Sequence, residues 1–325
     1  MKLNSDVFNP QKLKKESLRS GFEKGILEAG ETYEDVVVLS ADVSKSVKVD
    51  SFKQKYPERY VECGVAEQNM AAVASGLANY GKVPFIAAYA VFSPGRNWEQ
   101  IRTTIALSDL PVKIVGTHAG VSVGEDGATH QALEDITLMR VLPNMQILVP
   151  VDAEEAHKAI VSCVSNGKPT YVRIPRYDVP LFTTKDTPFE EGKAEYLWRS
   201  ENPQVAIMGA GPLMYEALLA AKELELQGIG TSVLNLHSIK PMDIGKVLEA
   251  GNDARAIVTV EEHQILGGVG GTIAEIFAQN TPTPIEMVAI HDEFGQSGTA
   301  EELLESYGLN KNGITEAVKR VLNRK

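Results

Sequence analysis

The sequence predicts an α/β protein of two consecutive three-layer domains with mainly parallel sheets, and three observations carry that prediction. Short apolar runs rich in β-branched residues alternate with longer helical patterns. The alternation breaks once, at an irregular stretch of charges and prolines, and then restarts. The 325 residues, 43% hydrophobic and 23% charged, suffice for two ordinary globular domains with a core each.

The first run, VVVLS (Val36–Ser40), is apolar almost throughout and ends in a polar segment, as a buried parallel strand does. GVAEQNMAAVASGLANYG (64–81) is rich in small residues and closes on glycine, which reads as a closely packed helix. Strand VPFIAAY, helix NWEQIRTTIALS, strand VKIVGTH and helix ALEDITLMRVL follow. Strand MQILVPV, helix AEEAHKAIVSCVS and strand TYVRIP complete a first domain over residues 1–185. The irregular chain from about 176 to 203 contains the expected linker, 186–202. Over 203–325 the pattern resumes with strands QVAIMGAG, GTSVLNL, AIVTVEE and IEMVAI between helical segments, ending in a helix that closes on EAVKRVLNRK.

The formal charge of -11 argues against nucleic acid or an anionic membrane as the main partner. Phosphorylated metabolites remain open, because a few local arginines and histidines outweigh distant charge. The two cysteines, Cys63 and Cys163, form neither a disulfide framework nor a CxxC pair, so a reducing cytoplasm is expected and both read as small buried hydrophobes. The amino terminus lacks the apolar core of a signal peptide, and no run approaches a membrane span.

In open parallel sheets, ligands bind outside the carboxyl ends of the strands. The polar clusters of the first domain fall there. Asp42 and Ser46 follow the first strand, and Thr117-His118 follows the third. The loop VSVGEDGATHQ brings Asp126 and His130, and Arg173 stands on the last strand. Each alone has a bland reading: a surface histidine, a capped turn, an arginine paired with a carboxylate. Two histidines and an aspartate around one glycine-rich loop are also equipment for binding a hydroxylated anion and moving protons.

Glu67 has two readings as well. It opens a helix among small and apolar neighbours, where a carboxylate simply favours the amino terminus electrostatically. The alternative is a partly buried acid that shares a proton with a ligand. Tyr89 and Phe92 on the following segment are core aromatics or walls for a flat heterocycle. In the second domain Gly209-Ala210-Gly211 lacks the third glycine and the downstream acid of a dinucleotide loop. The glycine cluster 267–271 lacks a P-loop lysine and reads as close helix–strand packing, while His237, His263 and His291 read as structural.

GVAEQNM, the THAG segment followed by GEDGATHQALEDITLMRVLPNMQILVP, and VTVEEHQILGGVGG together resemble the pyrimidine-binding and carboxy-terminal domains of transketolases. The resemblance spans nearly the whole chain. It implies that Glu67 contacts N1′ of the aminopyrimidine of thiamine diphosphate, sharing the proton that activates the cofactor. It further implies that Tyr89 and Phe92 surround the pyrimidine, with Ile86 at a site that is often aromatic and Asp42 near the cofactor. His118, Asp126 and His130 are implied to hold the sugar hydroxyls and carbonyl. Arg19, Ser46, His118 and Arg173 are implied to grip the sugar phosphate.

Transketolases hold diphosphate and a divalent metal through GDG and a downstream asparagine in a separate amino-terminal domain, and nothing in this sequence matches that motif. The resemblance therefore implies a heteromer, expected to be an α2β2 tetramer with a homodimeric core. A partner subunit supplies the diphosphate domain and most of the Mg²⁺ or Ca²⁺ site. Rival readings are a 1-deoxy-D-xylulose-5-phosphate synthase-like chain or another thiamine diphosphate-dependent carboligase subunit, a transketolase for an unusual ketose phosphate, and a non-catalytic scaffold.

Overall fold

Strands that are apolar on both faces must be covered on both, and that requirement builds the first domain. The computed structural model describes residues 2–325. The first domain runs β1 (Lys15–Ser17), α1 (Leu18–Thr32), β2 (Val36–Ser40), α2 (Asp50–Lys55), β3 (Tyr60–Glu62), α3 (Glu67–Asn79), β4 (Val83–Tyr89), α4 (Trp98–Gln100), β5 (Lys113–Thr117), α5 (Asp135–Arg140), β6 (Gln146–Leu148), α6 (Ala153–Cys163), β7 (Thr170–Ile174) and β8 (Asp178–Pro180). The second domain runs β9 (Glu195–Arg199), β10 (Val205–Gly209), α7 (Leu213–Leu226), β11 (Thr231–Asn235), β12 (Ser238–Lys240), α8 (Ile244–Ala254), β13 (Ile257–Gln264), α9 (Val269–Gln279), β14 (Ile285–Ile290), α10 (Ala300–Ser306) and α11 (Lys311–Leu322).

The expected α/β architecture is present. The first sheet has the order β12-β6-β7-β5-β4-β2-β3, parallel except for β12 at its edge. Every residue of β2, β5 and β7 is buried. The second sheet, β14-β13-β10-β11-β9, is parallel except for β9. On one face of the first sheet α1 lies close on α6 because Gly21 has no side chain: a Cβ there would sit 2.0 Å from the Ala153 carbonyl oxygen.

Register decides where the functional residues go. Ser40 is opposite Ala87, Tyr89 opposite Thr117, and Thr117 opposite Ile174. The carboxyl ends of β2, β4, β5 and β7 are therefore level, and the loops that leave them share one edge of the sheet.

Several expectations change in detail. Helix α1 precedes the first strand read from the sequence, and the helix expected at 97–108 is a short α-turn that continues as a π-helix over Ile101–Ala106. The stretch 186–202 contains β9, an edge strand of the second sheet. The amino-terminal arm packs on the second domain: Val7 and Leu13 join its core, and Tyr215 donates to the Val7 carbonyl at 3.0 Å. The two domains also share a sheet, since β12 pairs with β6. Among the described residues no helix is long and apolar enough to cross a membrane.

Candidate active site

His118 follows β5 with φ of +55°, a left-handed backbone unusual for a residue with a Cβ. That turn stacks the imidazole on Tyr89, with ring centroids 3.9 Å apart at 26°. The Thr117 hydroxyl donates to the Ala88 carbonyl at 3.1 Å, so its oxygen accepts from His118 Nδ1 at 2.9 Å. The network thereby assigns the bare lone pair to Nε2. Nε2 faces Ser46 Oγ at 3.5 Å, and Ser46 Oγ lies 2.7 Å from the Tyr89 hydroxyl. Burial first, then Arg19, Arg176 and His130, push the His118 pKa down to about 3. The ring is a neutral acceptor in ordinary buffers.

Two arginines, Arg19 and Arg176, are the cations that depress His118. Ser17 caps α1 through the Arg19 amide and also accepts from Arg19 Nε at 3.1 Å. The Arg19 guanidinium then donates to the carbonyls of Ser46 and Arg176, both at 3.0 Å. Burial, with Arg176 second, holds its pKa below the ordinary arginine value, a strain that an anion between the two guanidiniums would relieve. Arg176 donates to the Val123 carbonyl at 2.9 Å and pairs with Asp126 at 3.2 Å. His130 stands edge-on to Phe92 and Tyr89, with centroids 5.5 and 6.2 Å away.

Beside this pocket Glu67 is the first residue of α3 and is 3% exposed. Its Oε2 accepts from Arg96 Nη1 at 2.8 Å, and its Oε1 has no protein partner among the described residues. The Arg96 guanidinium also lies over Phe92, 4.6 Å from the ring centre. Glu67 is thus linked through Arg96 to Phe92, whose ring stands beside those of Tyr89 and His130.

Comparison with known proteins gives this geometry a family. The transketolase pyrimidine-binding domain matches residues 14–180, and the transketolase C-terminal domain matches 192–314. The chain belongs to the transketolase family. It is 40% identical to a putative transketolase C-terminal section of Methanocaldococcus jannaschii, over 93% of this chain and 95% of that one. It is 36% identical to a 6-deoxy-6-sulfo-D-fructose transketolase subunit of Clostridium sp., over 97% of each. A solved split-gene transketolase, an inactive β4 tetramer, superposes with a TM-score of 0.88 at 40% identity, over 94% of this chain and 98% of that one.

The transketolase family implies thiamine diphosphate, and the residues fit its aminopyrimidine half. The free Glu67 oxygen suits a ring nitrogen that shares a proton, and Phe92 offers a flat apolar face. Among the described residues no group of three or more His, Cys, Asp or Glu side chains could hold a metal ion.

Two expected site residues, Arg173 and Ile86, are buried within strands, and a third, Asp42, stands exposed at a strand end. Arg173 is inside β7, 3% exposed, with Nε on Asp135 at 2.8 Å and Nη2 on the Glu262 carbonyl at 2.8 Å. It joins the two domains, and the arginine that acts electrostatically on Arg19 and His118 is Arg176. The rule that ligands bind beyond strand ends already favours the residue after the strand over the one within it. Ile86 is fully buried in the core, three residues upstream of Tyr89, and the third neighbour of Glu67 and Phe92 is Arg96. Nothing in the sequence pattern singles out Arg96. Asp42 is at the right strand end with φ of +61°; its amide donates to Glu62 at 2.8 Å and its exposed carboxylate makes no hydrogen bond among the described residues.

Proposed function

We propose that this chain is the C-terminal subunit of a two-subunit transketolase, moving a two-carbon ketol unit from a ketose phosphate to an aldose phosphate. What carries the reading is one connected set: a buried, half-satisfied Glu67, linked through Arg96, Phe92 and Tyr89 to the Arg19–Ser46–His118 cluster at the strand ends. When bound, thiamine diphosphate supplies the nucleophilic carbon that accepts the two-carbon unit. Glu67 holds the proton on the pyrimidine N1′. Arg19 and Arg176 take the sugar phosphate, and Ser46 and His118 take hydroxyls beside it. Asp126 and His130 orient the remaining hydroxyls and the carbonyl.

The partner brings the diphosphate-binding domain with its Mg²⁺ or Ca²⁺, in an α2β2 assembly. Support comes from relatives of matching length that are described as a C-terminal section or a subunit. A second reading, a transketolase for an unusual ketose, is favoured by the sulfofructose relative, because a paired-arginine site accepts a sulfonate as readily as a phosphate.

The experiment is ketol transfer by the chain alone, by the chain with its partner, and by a Glu67→Gln complex, with phosphorylated and sulfonated ketoses compared as donors. Turnover is expected only from the complex, and Glu67→Gln is expected to lower kcat by at least about 100-fold. Full activity in that variant, or turnover by the purified chain alone, would refute the corresponding part of the reading.

A further inference from the structure

The second domain clasps the loop that carries Asp126 and His130. Glu262 on β13 is 3% exposed, and its Oε1 accepts the Ser122 amide at 2.7 Å, inside the short 3-10 turn Val121–Val123. Gly120, with φ of +90°, is what lets the carboxylate reach so far: a Cβ there would lie 2.2 Å from Glu262 Oε1. The next residue, Val123, presents the carbonyl that receives Arg176 Nη1 at 2.9 Å. Arg173 fixes the backbone of Glu262 from below, donating to its carbonyl at 2.8 Å.

A second segment of the same domain closes on the loop from outside. Gln131 Nε2 donates to Val121 at 3.0 Å and to the Gln296 carbonyl at 2.9 Å, and the Ser297 hydroxyl donates to the Glu125 carbonyl at 2.5 Å. These bonds bear on both ends of one turn, so displacing it moves the Arg176 anchor and the Asp126 segment together.

We infer that Glu262 is a positioning residue: through the Ser122 amide it sets the turn whose Val123 carbonyl aims Arg176 at the substrate's anionic end. The C-terminal domain thereby tunes affinity for that end of the sugar. The inference rests on the proposed ketol transfer for its kinetic arm only.

The test uses the full chain, alone and with its partner. Glu262→Ala is expected to raise KM for a ketose phosphate about 10-fold while KM for hydroxypyruvate, which has no phosphate, moves less than about 3-fold. Glu262→Gln keeps an acceptor on the Ser122 amide and is expected to restore most of the loss. Hydrogen exchange of residues 120–127 in the chain alone is expected to speed up about 10-fold in Glu262→Ala. If that variant fails to fold, Ser297→Ala is expected to raise the ketose phosphate KM about 2-fold with the same donor selectivity. Equal losses for both donors, or unchanged exchange of 120–127, would overturn the inference. A wild-type complex without ketol transfer would instead sink the functional reading and leave the exchange measurement to decide.

Discussion

Glu67 and Glu261 are both buried acids near the start of a helix, one in each domain, and they are held in opposite ways. Glu261 gives both oxygens to the first turn of α9, accepting the Val269 amide at 2.7 Å and the Gly270 amide at 2.8 Å. Glu67 makes no hydrogen bond to an α3 amide; it accepts from Arg96 and leaves one oxygen free. The strand ends around them differ in the same sense. In the second domain Gly209 lies so close to Val260 that a Cβ would meet its carbonyl at 2.3 Å, while in the first domain the ends of β4 and β5 carry the stacked Tyr89 and His118 rings. The two acids therefore differ in what is left to bind: Glu261 is used up by its own helix, and Glu67 keeps one oxygen that a ligand could take.

The sharpest way to break this comparison is to neutralise both acids. Glu67→Gln is expected to cost about 100- to 10,000-fold in kcat of the assembled complex with little change in Tm. Glu261→Gln is expected to act the other way, lowering Tm while the folded enzyme turns over. Parallel thermal melts and initial rates separate the two, and matching behaviour would erase the distinction.

Next come the two arginines three residues apart. Arg173→Ala leaves Asp135 buried without its cation and is expected to destabilise the chain by about 3–5 kcal/mol in urea unfolding. Arg176→Ala removes a half-exposed cation and is expected to leave stability nearly unchanged. Its KM for a phosphorylated donor is expected to rise about 10- to 100-fold, with hydroxypyruvate hardly affected. Equal effects of the two variants on donor KM would restore Arg173 to the pocket.

The smallest expected effect concerns His118. Its folded pKa, about 3, lies below the ordinary 6.5, so acidification protonates the unfolded chain first. The stability held by the neutral ring is whole above about 6.5 and is lost as pH falls toward about 3. His118→Asn is therefore expected to flatten the fall of Tm between about pH 6.5 and 4. An unchanged slope would show that the ring is not desolvated as its surroundings require.

Strand and helix alternation was legible because parallel strands buried on both faces cannot hide their composition: VVVLS, VPFIAAY and TYVRIP are strands as read. Helix α1 was less legible, since its glycines serve a close approach to α6 and dilute the helical pattern. Arg19 donates to the Ser46 carbonyl and Ser46 Oγ lies 3.5 Å from His118 Nε2, a grouping that the strand-end rule points to because Ser46 and His118 both follow strands of one sheet. Ile86 and Arg173 share one placement that the motif around them does not reveal: both are buried side chains inside strands.

By itself the sequence determined the fold class, the alternation of most strands and helices and the edge of the first sheet where polar residues gather, since these follow from local composition and periodicity. It left Glu67 poised between a helix-end carboxylate and a working acid. What only the tertiary structure supplies is the partner of each oxygen: Arg96 lies 29 residues away along the chain, and spacing carries no trace of it. The same holds for Glu262, which reaches the Ser122 amide across 140 residues and another domain.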